Sequence, residues 1–337
     1  MSIAGLLLAV GLGSCLLTGV IRRYALWRSV LDIPNARSSH SVPTPRGGGV
    51  AIVCVYLLAL TVLWQSGEVA GRFYLALAGA GLLVAVIGFV DDHRHIPARW
   101  RLCGHFAAAV WALCWLGGLP VIVVGNVAVG AGWVLLPVAL LYLVWLLNLY
   151  NFMDGIDGIA GTEAIVVCLA MSVIYAIGGH AEASVAPLLL AVAAAGFLVW
   201  NFPPAKIFMG DAGSGFLGIS LGVLSLQGAW HDPAYLWAWI ILLGVFIVDA
   251  TVTLVRRLLN GEKVYEAHRS HAYQYAARSV GRHLPVTLAV AVITLGWLAP
   301  VALCVAVFKL DGLLGTLIAY GPLIALCLKY RAGKAEA

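Results

Sequence analysis

Apolar runs of roughly the length that crosses a bilayer, about 20 residues, alternate along this chain with short polar stretches. They fall at 3–21, 47–66, 72–90, 101–117, 133–150, 158–178, 184–201, 212–229, 234–255, 285–306 and 312–328. Within each run the apolar positions are continuous rather than confined to one helical stripe, as expected of helices surrounded by lipid or by other helices. One stretch departs from this pattern. Gly118 to Gly132 suits a helix poorly and alternates better as a short β-hairpin turning at Gly125-Asn126. The expectation is an all-α polytopic membrane protein of about eleven transmembrane helices, with one short hairpin outside the membrane.

Composition agrees. Of 337 residues, 62% are hydrophobic and 10% charged, with a mean hydropathy of +0.98, whereas soluble domains are about 25% charged. The length suits one integral-membrane domain over 1–337 and leaves no room for a sizeable soluble one. The first run lacks a basic leader and an evident cleavage site, so it is expected to stay as a span. The seven cysteines lie in or beside apolar runs without a CxxC pair, as small buried hydrophobes do. No clear internal repeat points to a transporter.

Charge placement sets orientation. With the N-terminus outside, only Arg72 and Lys309 of the 20 Lys and Arg residues fall on the outer side. The positive-inside rule then makes the other side cytoplasmic, with the C-terminus there and the N-terminus and hairpin periplasmic.

The acids follow the same division. Asp91, Asp92, Asp154, Asp157 and Asp211 all lie at cytoplasmic ends of spans, while the outer ends hold scattered Glu68, Glu182, Asp232 and Asp311. Carboxylates at a membrane boundary are costly unless used. Asp157 or Asp211 taken alone reads equally as a helix N-cap. Three separated clusters on one face, each beside glycine, point instead to a site. Converging hard carboxylates favour Mg2+, with Mn2+ as the alternative; no Cys/His set has zinc-ligand spacing.

Three further groups accompany the acids. The loop 32–49 places Arg37 and Arg46 before Gly47-Gly48-Gly49, offering guanidinium groups and backbone amides to an anion; it also reads as a basic loop that only sets topology. The late loop carries His268, Arg269 and His271, a pair of imidazoles on one face if helical, or a plain surface feature. Phe208, three residues before Asp211, either stacks on a base or anchors at the interface. Asp249 and Glu163 read as structural or chemical alike.

Four motifs recur in order: Asp32-x-Pro-Asn-x-Arg-Ser-Ser-His-x-x-Pro-Thr-Pro-Arg-Gly-Gly-Gly49, Gly88-Phe-Val-Asp91-Asp92, Asn148-x-x-Asn151-x-x-Asp154-Gly-x-Asp157-Gly-x-Ala160, and Phe208-Met-Gly-Asp211-x-Gly-Ser214. Over nearly its whole length the chain resembles the polyprenyl-phosphate N-acetylhexosamine-1-phosphate transferases, the group containing MraY, WecA and TagO. The wording Glu-Ala-His-Arg-Ser-His-Ala-Tyr-Gln looks most like the WbpL-type branch that initiates O-antigen synthesis. The resemblance implies a site built from the cytoplasmic loops 22–49, 91–101, 148–160, 202–214 and 256–284. There, an N-acetylhexosamine or N-acetyl-deoxyhexosamine 1-phosphate would pass from a UDP-sugar to undecaprenyl phosphate, with Mg2+ and release of UMP, in the bacterial inner membrane. It implies Asp211 as metal ligand with Asp92, the pair Asp91-Asp92 at the acceptor phosphate, and Asn148, Asn151, Asp154 and Asp157 lining the nucleotide site. Phe208 falls beside the uracil, and Arg37, Arg46, Gly48, His268, Arg269 and His271 contact substrate. Expected partners are the two substrates and membrane lipids, with a homodimer as an option and no nucleic acid. The rival class is a secondary transporter of an anionic metabolite, which would place its charges near the midplane.

Overall fold

The computed structural model describes residues 2–34, 42–94, 96–125, 127–130, 135–262 and 268–334. Among these the chain is mostly helical, and the described part of each apolar run named above lies largely in helix. Among the described residues seven helices are long and apolar enough to cross a membrane, or eight if one bent pair counts as a span. The seven are α1 (Ile3–Trp27), α3 (Gly71–His93), α6 (Ile159–Ile177), a stretch Ala181–Asn201 containing α7 (Val185–Asn201), α8 (Asp211–His231), a stretch Leu284–Ala306, and α14 (Gly312–Lys329). Helices α2 (Val50–Gln65) and α5 (Leu136–Phe152) are apolar but shorter, and α4 (Ala98–Leu116) begins with Arg99 and Arg101.

Two of the expected spans are interrupted. The run 234–255 is two helices, α9 (Pro233–Leu242) and α10 (Gly244–Leu259), bent by 69°. Gly244 stands at the break, where Tyr320 and Leu323 of α14 press against it and leave little room for a Cβ. The run 285–306 is α12 (Leu284–Ile293) and α13 (Ala299–Ala306), joined by a π-type turn Thr294–Leu298. Thr294 there donates to Glu163 Oε2 at 3.2 Å. Glu163 is wholly buried, and its second oxygen has no hydrogen-bond partner among the described residues. It belongs to the interior of the bundle, not to the acidic cluster.

The expected hairpin forms, with β3 (Ile122–Val124) antiparallel to β4 (Val127–Val129) and Val124 opposite Val127; Asn126 lies outside the described residues. A smaller ladder, not expected from the sequence, pairs β1 (Leu31–Asp32) with β2 (Thr44–Pro45). It brings the two ends of the 32–49 loop together.

Helix α8 is the axis of the bundle and is buried along nearly its whole length. It packs against α3, α5, α9 and the start of α2. Close approach rests on missing side chains, as is usual between membrane helices. A Cβ on Gly88 of α3 would strike the backbone of Asp211 and Ala212, and one on Gly49 at the start of α2 would strike Gly213. The end of α3 and the start of α2 therefore converge on one end of α8.

Gly88→Ala is expected to destabilise the protein by about 1–3 kcal/mol, the usual cost of overpacking, because backbone rather than a mobile side chain occupies the space. Gly13→Ala of α1, whose new methyl would meet Val55 at an ordinary 3.6 Å, is expected to be neutral or stabilising. Thermal unfolding of both variants in the same detergent checks the contrast.

Candidate active site

Gly210 prepares the N-terminus of α8. Its φ of +79° lies in the left-handed region, and a Cβ there would run into Asp92 Oδ2, so glycine suits the position on both counts. The freed amides are taken by Asp92 of α3: Asp211 N–H donates to Oδ1 at 3.0 Å and Ala212 N–H to Oδ2 at 3.4 Å. Arg46 Nε adds a charged contact to Oδ1 at 2.8 Å. Asp92 is 1% exposed and caps a helix to which it does not belong, where the helix dipole favours a negative charge.

Asp211 is more open, at 22%. Its Oδ1 accepts from Arg46 Nη2 at 2.9 Å and from Asn151 Nδ2 at 3.1 Å, and its Oδ2 meets Arg101 Nη1 at 3.3 Å. Asn151 also donates to Ser214 Oγ at 2.9 Å, which fixes its amide. Asp91 accepts from Ile96 N–H and from Arg101 Nη1, both at 2.6 Å. The guanidiniums of Arg46 and Arg101 thus hold three carboxylates in one arc. Burial works against the charge on Arg46, but Asp92 and Asp211 raise its proton affinity above the ordinary arginine value.

Asp154 stands apart in kind. Its backbone N–H donates to the Asn151 carbonyl at 3.3 Å. Its carboxyl has no hydrogen-bond partner among the described residues, yet feels Asp211, Arg46, Asp92 and Asp157. The packed surroundings first, and the Asp211 charge next, push its carboxyl well above the usual carboxylate range despite Arg46. Asp157 is a tie instead. Its Oδ1 lies 3.2 Å from His283 Nδ1, its Oδ2 accepts from Ala205 N–H at 3.0 Å, and its carbonyl accepts from Thr287 Oγ1 at 2.9 Å. It fastens the 153–158 turn to the 203–206 turn and to α12.

Asn148 donates back to the Val144 carbonyl at 2.7 Å and lines a cavity of about 40 Å3 with Arg101, His105, Asn151 and Asp211. His105 Nδ1 is buried there without a partner among the described residues. Beside Arg46 and Asp92 opens a wider groove of about 680 Å3, also lined by Tyr24, Trp27, Arg28 and Leu31. The sequence reading missed Arg101 and His105. Arg101 stands ten residues past Asp91 at the mouth of an apolar run, a position read there only as a topology charge.

The glycine loop corrects one expectation. Gly48 N–H donates to the Phe208 carbonyl and Gly49 N–H to the Met209 carbonyl, both at 2.9 Å, while Phe208 N–H donates to the Pro45 carbonyl at 2.8 Å. These amides bind the 207–210 segment and do not present themselves to an anion. What Gly48 contributes is closeness, since a Cβ there would meet Phe197 and Ile207. Phe208 itself is half-buried on this paired segment. Arg37 lies outside the described residues.

The late loop is held from below. Asp249 of α10 accepts from the amides of Ala272 and Tyr273 at 2.9 Å each, and from Thr253 Oγ1 at 3.1 Å. It caps α11 (Ala272–Val280), and His271 Nδ1 lies 3.3 Å from the same carboxylate. Asp249 and His271 are both buried, so this part of the loop is structural. His268 stacks on His271 with ring centroids 4.9 Å apart and lies 3.0 Å from Ser270 Oγ. Burial, then His271 and Arg257, push the His268 imidazole down to about 3, which favours its neutral form. Neither histidine is hydrogen-bonded or ion-paired to Asp91, Asp92, Asp154, Asp157 or Asp211 among the described contacts. The link runs through Tyr273, whose hydroxyl donates to the Phe152 carbonyl at 3.0 Å and occupies the space a Cβ on Gly155 would need. Arg269 joins this loop through its carbonyl, which accepts from Arg278 Nη1 at 3.0 Å.

Comparison with known proteins bears on this arrangement. Residues 74–229 match the sequence model of glycosyl transferase family 4, a stretch that holds three of the four motifs. The chain is 29% identical to a probable undecaprenyl-phosphate N-acetylglucosaminyl 1-phosphate transferase of Bacillus subtilis, over 77% of this chain and 72% of that protein. It is 30% identical to the decaprenyl-phosphate N-acetylglucosaminephosphotransferase of Mycolicibacterium smegmatis, over 76% of this chain and 70% of that protein. It is 36% identical to a phospho-N-acetylmuramoyl-pentapeptide-transferase of Moorella thermoacetica, over 55% of this chain and 61% of that protein. With its acids gathered at the head of a buried helix and 30% identity to the Mycolicibacterium smegmatis enzyme over 70% of that protein, the chain belongs to the polyprenyl-phosphate hexosamine-1-phosphate transferase family.

Proposed function

We propose that this protein transfers an N-acetylhexosamine 1-phosphate, or its deoxy counterpart, from a UDP-sugar to undecaprenyl phosphate. An oxygen of the acceptor phosphate attacks the β-phosphorus of the donor, the bond from that phosphorus to the bridging oxygen breaks, and UMP leaves. The reaction is the first membrane step of an O-antigen or other envelope polysaccharide. One integral domain with eleven crossings carries it in the bacterial plasma membrane, N-terminus and hairpin outside, site and C-terminus inside. The observation that carries this reading is the arc of Asp91, Asp92 and Asp211 held by Arg46 and Arg101 at the head of α8. A transporter would use such charges midway along the helix, not at its end.

The donor atoms here fit a hard cation. They are carboxylate oxygens, with no thiolate, and the three carboxylates of the arc, with Asp154 beside them, outnumber two guanidiniums. Asp211, the more open acid, would hold Mg2+ or Mn2+, with Asp92 fixing the helix end behind it. When bound, the cation offsets the repulsion between two anionic substrates and the charge on the departing UMP. Arg46 and Arg101 add charge from the protein side without a proton to lose. Asp154, whose carboxyl has no hydrogen-bond partner among the described residues and whose proton affinity is raised, is the base assigned here: once ionised, it accepts the acceptor phosphate's proton. The late loop covers the 152–157 turn through Tyr273, and His268 and Arg269 meet the donor there.

Purified protein given undecaprenyl phosphate, Mg2+ and a panel of UDP-sugars led by UDP-N-acetylglucosamine is expected to yield a lipid diphosphate-sugar and UMP in equal amounts. Absence of UMP and of lipid product with every donor refutes the proposal. Asp154→Asn is expected to cut kcat by roughly 100-fold or more with donor affinity and melting temperature kept, as for a group needed only in the transition state. Asp92→Asn is expected to lower the melting temperature as well, since the cap on α8 is lost. Equal melting temperatures for the two would place Asp92 outside the cap role.

The two late-loop histidines are expected to separate. His268→Ala raises the donor KM or cuts kcat/KM about ten- to a hundredfold, roughly 1.4–2.7 kcal/mol, with the protein still stable. His271→Ala leaves Asp249 short of a buried partner and costs about 1–3 kcal/mol of stability. Steady-state kinetics with each substrate varied, beside thermal unfolding, decides it; a selective rise in acceptor KM for His268→Ala moves the loop to the lipid side.

A further inference from the structure

At the opposite end of α8 the fold assembles a second set of ligand-type side chains. Asp211 opens this helix and His231 closes it, and 21 residues at about 1.5 Å each separate the two by roughly 30 Å. His180 lies in the turn after α6, and Glu182 in the short 3-10 turn Ala181–Ser184 that follows. One ligand atom from each of His180, Glu182 and His231 lies within 4.8 Å of the others. His180 Nδ1 is 3.3 Å from Glu182 Oε1, and the two imidazole rings are 5.4 Å apart and tilted by 52°, so they do not stack face to face. The Tyr235 ring stands edge-on to His180 at 5.6 Å and backs it. The neighbouring acid Asp232 is engaged elsewhere. Its Oδ1 accepts from Ala234 N–H at 2.8 Å to cap α9, and its Oδ2 meets Lys309 Nζ at 3.0 Å.

We propose that His180, Glu182 and His231 form a three-ligand site for a divalent transition-metal cation, on the face of the protein opposite the acidic cluster. Two imidazole nitrogens and one carboxylate oxygen suit Zn2+ and its first-row neighbours, whereas Mg2+ prefers an all-oxygen set. The two ends of α8 are therefore chemically distinct. A tetrahedral Zn2+ with bonds of about 2.0–2.1 Å sets its ligand atoms about 3.3 Å apart, which is the His180–Glu182 separation. Glu182 and His231 are exposed, so side-chain rotation alone brings the third ligand in. Three protein ligands leave one position to water. Bound metal would clip the α6–α7 turn to the α8–α9 turn. Sequence spacing hides the site, because His231 joins His180 and Glu182 only through packing.

The test uses full-length protein without a histidine tag, stripped with EDTA, exchanged into excess Mg2+ and titrated with Zn2+ by calorimetry and thermal unfolding. The expected result is one saturable Zn2+ per chain and a higher melting temperature. His180→Ala and His231→Ala are each expected to weaken binding at least about tenfold and to abolish the melting shift. Glu182→Gln, an exposed and conservative change, is expected to weaken binding while leaving the metal-free melting temperature unchanged. It keeps the test valid if a histidine variant fails to fold. No saturable binding to the unaltered protein, or binding unchanged in the His180→Ala, His231→Ala double variant and in Glu182→Gln, overturns the proposal.

Discussion

The carboxylate of Asp92 on the two leading amides of α8 is the contact around which the site is organised. It joins the end of α3 to the head of the central helix, and Arg46 on its other side brings in the start of α2. The geometry demands small residues at each approach. Gly88 lets α3 reach the α8 backbone, Gly210 turns the chain so that the amides face Asp92, and Gly49 meets Gly213. With α8 so fixed, Asp211 projects beside Asn151 of α5 and within reach of Arg101 of α4. Four helices and one turn thereby place their polar groups at a common point, while the remainder of α8 is buried.

Gathering like charges has an electrostatic cost that the two arginines only partly offset. This imbalance is what a bound cation would offset in the proposed reaction. It also sorts the acids by role. Asp91 and Asp92 are tied by backbone amides and guanidiniums, Asp157 is tied to the 203–206 turn and α12, and Asp211 remains partly open. Asp154, without such ties, has its proton affinity raised by packing and by Asp211. A motif whose aspartates look equivalent in the sequence thus divides into a brace, Asp157, and an untied acid, Asp154.

Much of this was legible in the sequence because bilayer physics is severe: apolar runs mark helices, and acids at their ends stand out. The gathering of Asp91, Asp92 and Asp211 at one face followed from that logic, while the place of Asn151 came from the family resemblance. What was hidden depends on tertiary packing. Arg101 looked like a charge at a span mouth until α4 was packed against α3. The Gly48 and Gly49 amides looked available until the 207–210 segment paired with them. His271 looked like a ligand until Asp249 was found capping α11 beneath it, and the break at Leu243 between α9 and α10 was masked by continuous hydrophobicity. His180, Glu182 and His231 share no local pattern at all.

The central claim is that the arc of carboxylates exists to hold one hard cation at Asp211. Electron paramagnetic resonance of Mn2+ titrated into protein freed of other metals tests it directly, in the presence of UDP-N-acetylglucosamine. The account predicts one Mn2+ bound per chain, competed by Mg2+, and lost in Asp211→Asn while that variant keeps its fold. Equal Mn2+ binding by Asp211→Asn and the unaltered protein would contradict it.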